Sequence, residues 1–441
     1  MARWVLAAVF VLAAGSCATI GDFASDDPGL DERPGRFEGR FIAVSDADMT
    51  ATAYADGVLE PVGDADAATL FVNGAPAGAA FASNSVISWP QIVDVSPSGL
   101  VYVVESKAPA PEGVKRYDDV YTEFPEGNAM TVLRASASGL ETVSVTQDVG
   151  LNLQSIEIAR NGAFAVVGSE EDGAELVVLA LDADGRIAER RAIDLDPSYK
   201  EDDLEKRVRA IHLSPDGAMI AVNVANRRVQ FYELELDASG VPSGARRFGA
   251  PSDDVGRRLS VGKWTQDGRH FVITDVNWPE ATVGMLVQGP GKLVSLAPPA
   301  NQNGTPLVVS EARVGRSPEG FSFSLDGRYA ASVNMERTYL PAIPPLAIWQ
   351  GRRRYSVSLL TVSDAGALSE ISRVYKAGIL PEDVIFDETG ENLAVAVFHR
   401  RKGADRERGF IDFFSIENDA LKSQGVTQAV ARGAHDLVLL P

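Results

Sequence analysis

Cysteine is almost missing from this chain, which contains Cys17 alone among 441 residues. A single thiol cannot form an intramolecular disulfide, so even in an oxidising compartment the fold must be stabilised by packing. Basic residues are also few, because 41 Lys and Arg stand against 61 Asp and Glu and the net charge is -20. A surface this acidic repels phosphate backbones, which argues against a nucleic-acid partner.

Long hydrophobic runs and the common catalytic motifs are missing as well. No stretch reaches the roughly 20 apolar residues that a transmembrane helix needs. Neither Walker, Gly-x-Gly-x-x-Gly, Gly-x-Ser-x-Gly, His-Glu-x-x-His nor Cys-x-x-Cys motifs occur, which excludes the nucleotide, redox, hydrolase, zincin and haem chemistry that uses them. Hydrophobic residues nevertheless make up 45% of the chain, enough for a large core. At about 150 residues per domain, the chain holds several domains or one repetitive architecture.

The first 17 residues have the pattern of an export signal. A basic start precedes an apolar run from Trp4 to Ala14, and small residues lead to Cys17. A cysteine at this place resembles the lipobox of bacterial lipoproteins, which implies lipidation of Cys17 and a position on the periplasmic side of the outer membrane. The alternative is cleavage near Ala18, giving a soluble periplasmic or secreted protein. Residues 18–37 are acidic and without apolar periodicity, which predicts a tether.

One pattern recurs along the rest of the chain: an alternating apolar strand, a turn ending in Asp-Gly or a close variant, and a second apolar strand. The turn glycines are 51 to 63 residues apart and are Gly99, Gly162, Gly217, Gly268, Gly327 and Gly390. Glycine supplies the positive φ that a tight hairpin needs, and the alternation pairs the flanking strands. Two further strands follow in each interval, so each repeat predicts a four-stranded antiparallel sheet.

The two ends of the chain supply the halves of one more repeat. Residues Arg40–Val44 resemble a second strand without a first, and Asp436–Leu440 resemble a first strand without a second. Six whole repeats and one split repeat over residues 38–441 predict an all-β, seven-bladed β-propeller whose first blade is closed by the C-terminal strand. Helical solenoids are excluded because the repeats lack a 3.6-residue period.

The turn segments also carry a family resemblance. Ser317–Tyr329 and Leu213–Gly217 are similar to the repeats of the YVTN and lactonase-like seven-bladed propellers of bacteria. The resemblance covers all seven units and implies the same fold in an exported protein. Such propellers include sugar-lactone hydrolases and binding modules. The phosphogluconolactonase branch typically has histidines at the start of its innermost strands, where this chain has His435 alone.

A ring of polar residues is predicted at one face of the propeller. Each lies eight positions before a turn glycine, or at the matching place in the closing strand: Gln91, Gln154, Arg209, Ser260, Glu319, Glu382 and His435. Equal geometry in every blade would bring these side chains around the mouth of the central channel, where converging polar groups form a candidate binding site. The alternative is that they are merely solvated strand ends.

Three members of this ring belong to consecutive blades and are expected to face one small volume. Glu319, Glu382 and His435 would suit either a divalent metal ion or general-base catalysis by His435 with a glutamate at its other nitrogen. In the second case Arg209 would stabilise the oxyanion. No sequence-adjacent metal spacing occurs, so no cofactor is predicted. The histidines within or beside strands are expected to pack structurally: His212 and His270.

Basic residues gather in loops on the same face as the ring. They are Lys107, Lys115, Arg116, Arg227, Arg228, Arg337, Arg352–Arg354, Arg400–Lys402, Arg406 and Arg408. A cationic mouth on an acidic body would attract an anionic ligand, unless these residues pair with nearby carboxylates. The ligand-binding residues predicted at this face are Gln91, Gln154, Ser260, Arg337, His399 and Arg400.

Three functions stay open at this point. The first is an exported binding propeller for an anionic small molecule, a glycan or a protein segment. The second is a lactonase-like hydrolase that uses His435 with Glu382 or Glu319. The third is a scaffold in an envelope assembly, and in all three the membrane is reached only through the lipid anchor. Lactone turnover that disappears in His435→Ala would select the second, whereas binding without turnover that survives this substitution would favour the first.

Overall fold

The computed structural model describes residues 31–46, 66–84, 89–109, 124–137, 139–195, 210–224, 226–279, 288–338, 354–400 and 408–441. Cys17 and Arg209 lie outside these ranges. The described residues form seven sheets of four antiparallel strands, which confirms the predicted seven-bladed β-propeller. A search of the same residues for a helix able to cross a membrane finds none.

Each blade contributes one strand to the channel wall and three outside it. The innermost strands of blades 1 to 7 are β28 (Ala434–Leu440), β4 (Val93–Val95), β8 (Ser155–Ile158), β12 (Ile211–Leu213), β16 (Leu259–Trp264), β20 (Pro318–Phe323) and β24 (Ile379–Phe386). The second strands are β1 (Arg40–Ser45), β5 (Leu100–Val104), β9 (Phe164–Gly168), β13 (Met219–Val224), β17 (Phe271–Asp275), β21 (Tyr329–Asn334) and β25 (Asn392–His399).

The outer two strands follow in the same order. The third strands are β2 (Ala67–Val72), β6 (Met130–Ser136), β10 (Leu176–Leu181), β14 (Arg228–Leu236), β18 (Lys292–Ala297), β22 (Arg354–Val362) and β26 (Arg408–Glu417). The outermost are β3 (Ala75–Phe81), β7 (Gly139–Thr146), β11 (Ile187–Ile193), β15 (Pro242–Phe248), β19 (Leu307–Arg313), β23 (Leu368–Ala377) and β27 (Ala420–Ala431). Second strands such as β5 and β9 are buried throughout, because neighbouring blades cover both of their faces.

The two ends of the chain close the ring within blade 1. Strands β1 and β28 pair antiparallel, with Phe41 opposite Leu439 and Ala43 opposite Leu437, which confirms the predicted closure. Phe41 is fully buried and stacks on Phe71 of β2 at a centroid distance of 4.5 Å. The closing strand therefore joins a packed hydrophobic core.

The Asp-Gly turns have the predicted conformation. All six turn glycines have positive φ, between 68° and 80°. In blade 4, the N–H of Gly217 donates to the carbonyl oxygen of Ser214 at 2.8 Å, and Ser214 Oγ accepts from the N–H of Met219 at 2.9 Å. The turn serine thus satisfies backbone groups that the hairpin leaves unpaired.

The last residues of the predicted tether lie against blade 7. Glu32 pairs with Arg408 of β26 at 2.8 Å, and Gly35 lies so close to the Phe413 ring that a Cβ there would collide with it. Phe37 is buried, with its ring centroid 4.7 Å from that of Phe41. The segment from 32 to 37 therefore packs on the propeller.

Candidate functional site

Four of the predicted ring residues lie where the innermost strands are irregular. The pairing shifts register at Leu259–Gly262, Pro318–Phe321, Pro381–Val384 and opposite Val44–Ser45. These shifts place Ser260, Glu319, Glu382 and His435 at β-bulges of blades 5, 6, 7 and 1. A bulge turns a side chain out of the regular in-and-out alternation. All four side chains are buried.

Three of these residues converge, as the repeat offsets predicted. Glu319 donates a hydrogen bond from its carboxyl group to Glu382. Nδ1 of His435 lies 3.8 Å from Oε2 of Glu382. Neither ring nitrogen of His435 has a hydrogen-bond partner of ordinary geometry in the part of the chain that the structure describes. We refer to Glu319, Glu382 and His435 as the loop-side triad.

Burial favours the uncharged form of every member of the loop-side triad. It raises the pKa of Glu382 to about 8, and burial beside Glu382 raises the pKa of Glu319 well above its usual value. Burial also lowers the pKa of His435 to about 4, although the backbone carbonyl of Trp89 opposes this shift. The triad therefore offers carboxyl O–H donors and a neutral imidazole. Among the described residues, no group of three or more His, Cys, Asp or Glu side chains has the geometry to hold a metal ion.

Two tryptophans meet beside the triad. The ring centroids of Trp89 and Trp278 are 6.0 Å apart, and Nε1 of Trp278 donates to Ser317 Oγ at 2.9 Å. The two residues belong to blades 2 and 5, on opposite sides of a seven-membered ring, so their contact crosses the channel axis. Both are half-buried. Their aromatic faces lie at the same end of the channel as His435, whose ring adjoins the Trp89 carbonyl.

A second pair of carboxyl groups follows the triad directly in sequence. Asp383 Oδ2 accepts the N–H of Leu437 at 3.2 Å, and Asp436 Oδ2 accepts the N–H of Ile92 at 2.7 Å. Burial raises the pKa of Asp383 well above its usual value and that of Asp436 to about 6, while the charge of Lys263 opposes both shifts. These carboxyl groups join the innermost strands of blades 7, 1 and 2.

The same arrangement recurs in the next two blades. Asp94 Oδ2 accepts the N–H of Ile158 at 2.6 Å, and Glu157 Oε2 accepts the N–H of Leu213 at 2.8 Å. Burial raises the pKa of Asp94 to about 7. Four successive carboxyl groups therefore bond each innermost strand to the next one, from blade 7 to blade 4.

The remaining ring members have structural contacts. Nε2 of Gln154 donates to Ser106 Oγ at 3.1 Å and to the carbonyl oxygen of Asn152 at 3.0 Å. Gln91 reaches the carbonyl oxygen of Gln154 at 3.4 Å. These two glutamines hold the neighbouring loops at the channel mouth.

Several described residues of the basic loops have partners within the protein. Arg400 is buried, donates to Asp412 Oδ1 at 2.7 Å and lies over the ring of Phe410 at 5.0 Å. His399 is also buried, with Nδ1 3.2 Å from the Arg400 carbonyl oxygen. Arg337 is half-buried. Other basic residues predicted at this face lie outside the described ranges: Lys115, Arg116, Arg352, Arg353, Arg401, Lys402 and Arg406.

Further ion pairs involve a basic residue of blade 4 and the carboxylate of Asp412. Arg228 pairs with Asp254 at 2.7 Å, and Asp412 also binds Lys376 at 2.8 Å. Burial alone would raise the pKa of Asp412, but Lys376 and Arg400 hold it below its usual value. These ion pairs of the described residues fit the alternative that the basic loops are solvated or paired with carboxylates of the protein itself. The prediction of an anionic ligand gains no support from them.

The channel contains a cavity of about 270 Å³. It begins at Pro90 and Gln91 and reaches the turn of blade 4 at Ser214 and Pro215. The charged and polar side chains in its wall are Asp94, Glu157, Arg160, His212, Lys263 and Asp436. This volume is just below the usual range for ligand pockets, so the cavity suits a small molecule. It extends to the Asp-Gly turn side of the ring, the end opposite to the loop-side triad.

Known structures share this architecture. A proposed 6-phosphogluconolactonase from Bacteroides fragilis superposes with a TM-score of 0.60 at 14% identity, covering 93% of this chain and 100% of that one. The periplasmic gluconolactonase PpgL of Pseudomonas aeruginosa superposes with a TM-score of 0.58 at 17% identity, covering 91% and 99%. The fold is that of the lactonase-like seven-bladed propellers. At these identities the likeness concerns the fold alone.

Comparison of the sequence with families and curated proteins gives less. No family model matches the chain. Lipoprotein LpqB of Corynebacterium jeikeium is 29% identical over 178 residues, which are 40% of this chain. The matched part is 28% of that relative's length.

Several residues of the channel were not predicted from the sequence. Asp383 and Asp436 each follow a ring residue directly in the sequence. This adjacency could have indicated that they also lie at the channel. Trp89 and Trp278 lie in loops without a repeated pattern, and nothing in the sequence predicts their contact. His212 packs in the wall, as expected, with its ring 5.4 Å from that of Phe271, but it also lines the cavity.

Proposed function

We propose that the protein is an exported binding propeller that takes a small oxygen-rich molecule, such as a glycan fragment or a sugar acid, at the loop-side end of its channel. The observation that supports this function is the convergence of Glu319, Glu382 and His435 from three consecutive blades. Neither nitrogen of the buried imidazole has a hydrogen-bond partner of ordinary geometry within the described residues, although the Trp89 carbonyl oxygen lies beside the ring. A buried polar atom without a partner costs free energy, and a ligand hydroxyl would remove that cost.

The neutral state of the triad favours oxygen-rich ligands. With the Glu319 proton shared with Glu382, the pair leaves one carboxyl O–H, on Glu382, to donate to a ligand oxygen, while the neutral ring of His435 both donates and accepts. Trp89 and Trp278 offer flat faces on which the C–H surface of a sugar ring can pack. Recognition then depends on hydrogen bonding and stacking more than on net charge.

Lactone hydrolysis is the second candidate, favoured by the 3.8 Å approach of Glu382 to Nδ1 of His435. In this reaction neutral His435 takes a proton from water as the water oxygen bonds to the lactone carbonyl carbon. The ring C–O bond then breaks, and the alkoxide takes the proton to give a hydroxy acid. The carbonyl oxygen of neutral Glu382 would accept a hydrogen bond from Nδ1 of the imidazolium that forms between these steps. The proposed oxyanion partner, Arg209, lies outside the described residues.

A panel of sugar lactones and their hydroxy acids tests both candidates. The binding function predicts calorimetric binding without hydrolysis above the spontaneous rate. It also predicts that His435→Gln weakens this binding about tenfold or more, because a buried acceptor is lost. His270→Gln is the matched control, since His270 bonds with Thr265 outside the channel.

The possible outcomes separate the candidates. Turnover that disappears in His435→Gln but persists in His270→Gln would establish the hydrolase instead. Binding that is equal in both variants, without turnover, would contradict a role for the loop-side triad in either function.

We also propose that the protein is exported and anchored through lipid on Cys17. The support is the signal-like start of the sequence, the curated relative named as a lipoprotein and the similarly folded periplasmic gluconolactonase. Cys17→Ser is expected to move the protein from the membrane fraction to the soluble or precursor pool, and labelled palmitate should mark only the wild type. A wild-type protein found soluble and unlabelled would show ordinary cleavage near Ala18.

A further inference from the structure

The turn-side half of the channel contains a carboxylate–imidazole pair that the loop-side triad does not involve. Nδ1 of His212 lies 2.9 Å from Glu157 Oε1, and the other oxygen of this carboxylate accepts the N–H of Leu213. A carboxylate can only accept, so Nδ1 carries a proton, and Nε2 is an acceptor in the neutral form of the ring. The His212 ring is 1% exposed, and Nε2 has no partner in the described part of the chain.

The pair belongs to an arc of four residues at one height in the channel. Asp94, Glu157, His212 and Lys263 each precede their turn glycine by five positions, in blades 2 to 5. All four line the 270 Å³ cavity. Nε1 of Trp264 donates to the His212 carbonyl oxygen at 3.0 Å, which fixes the backbone beside the ring. We refer to these four residues as the turn-side arc.

The chemistry of the turn-side arc is rich in acceptors. The acceptors in the cavity wall are His212 Nε2 and the carboxyl groups of Asp94, Glu157 and Asp436, and the cations are Lys263 and Arg160, of which Arg160 donates to Gln266. The charge of Lys263 acts on Asp94, Asp436 and the nearby Asp383, although burial raises the pKa of all three carboxyl groups. Hydroxyl groups can donate to the acceptors and accept from Lys263, whereas a carboxylate ligand could only accept and would add a negative charge beside these carboxyl groups.

We propose that the turn-side arc binds a neutral polyol of roughly six carbons, which enters from the Asp-Gly turn side. The donor hydroxyls would satisfy His212 Nε2, and the cavity volume matches a ligand at the small end of the usual range. This site does not depend on the function proposed for the loop-side triad.

Three probes with the same carbon chain test the ligand class. Sorbitol, gluconate and glucamine differ only at C1, which is a hydroxymethyl, a carboxylate or an ammonium-bearing group. Titration calorimetry should show binding of sorbitol and at least about tenfold weaker binding of gluconate. Tighter binding of gluconate or of glucamine would overturn the assignment to a neutral ligand, and no binding of any probe would overturn the site.

Variants and a spectroscopic readout locate the binding. His212→Gln and Lys263→Met should each weaken sorbitol binding by about tenfold or more, while His270→Gln should not change it. Histidine-specific ¹⁵N spectra of the wild type keep the test valid should His212→Gln misfold. Sorbitol is expected to shift the Nε2 resonance of His212 and to leave those of His435 in place. A shift confined to His435, or none, would contradict the proposal.

Discussion

Removal of the closing strand, residues Ala434–Pro441, is expected to abolish cooperative folding. Without β28, the inner edge of β1 is unpaired along the whole register from Arg40 to Ser45. The truncation also removes Asp436, which accepts the N–H groups of Ile92 and Val93, and it removes the Leu437 N–H that binds Asp383. Blade 1 then loses these bonds to both neighbouring blades. The expected loss exceeds about 5 kcal/mol, comparable with the entire stability of many domains.

Far-UV circular dichroism and thermal unfolding measure this effect, and deletion of Pro441 alone is the control. Pro441 is exposed and contributes only a carbonyl contact to Arg40. Its removal should therefore change the free energy of unfolding by no more than about 0.5 kcal/mol. A truncated protein that kept the wild-type melting temperature would show that pairing of the two chain ends does not hold the ring together.

The second large effect concerns the pH dependence of stability. Burial raises the pKa of Glu382 from 4.5 to about 8, and the pKa values of Glu319 and Asp383 well above their usual range. Between the ordinary pKa and the raised pKa of these carboxyl groups, the folded state therefore binds more protons than the unfolded state. The free energy of unfolding falls as pH rises through this window. For Glu382 alone the shift corresponds to roughly 5 kcal/mol. His435 acts in the opposite direction, but only between about pH 4 and its ordinary pKa of 6.5.

Urea unfolding at about pH 6.5 and pH 8.5 isolates the carboxyl contribution. The wild-type midpoint should fall across this interval, and Glu382→Gln should fall less, because glutamine stays neutral and keeps a hydrogen-bonding group at this position. Glu391→Gln, at an exposed position of the same blade, is expected to follow the wild type. Identical slopes for Glu382→Gln and the wild type would show that Glu382 titrates near its ordinary value.

The sequence alone predicted the parts of this structure that depend on local chemistry. Asp-Gly turns and alternating apolar residues repeat at each blade, so the blade number and the closure by β1 and β28 followed from counting. The same regularity explains why Glu319, Glu382 and His435 could be placed together: equal offsets from the turns give equal positions around the axis.

The remaining features depend on contacts between residues that are far apart in sequence. The bulges that bury Glu382 and His435 add a residue to a strand, which no offset from a turn reveals. Glu157 and His212 are 55 residues apart, and their hydrogen bond depends on side-chain conformation in two blades. The contact of Trp89 with Trp278 crosses the ring between irregular loops. The sequence therefore predicted at which end of the channel a residue lies, but not the contacts of Glu157 with His212 or of Trp89 with Trp278.

The carboxylate–amide bonds between innermost strands have a consequence for rearranging the chain. Asp383, Asp436, Asp94 and Glu157 each bond the following blade, from blade 7 round to blade 4. Among the described residues, no such bond joins blade 4 to 5 or 5 to 6. A circular permutant that fuses the native termini should consequently tolerate new termini between blades 5 and 6 better than between blades 2 and 3.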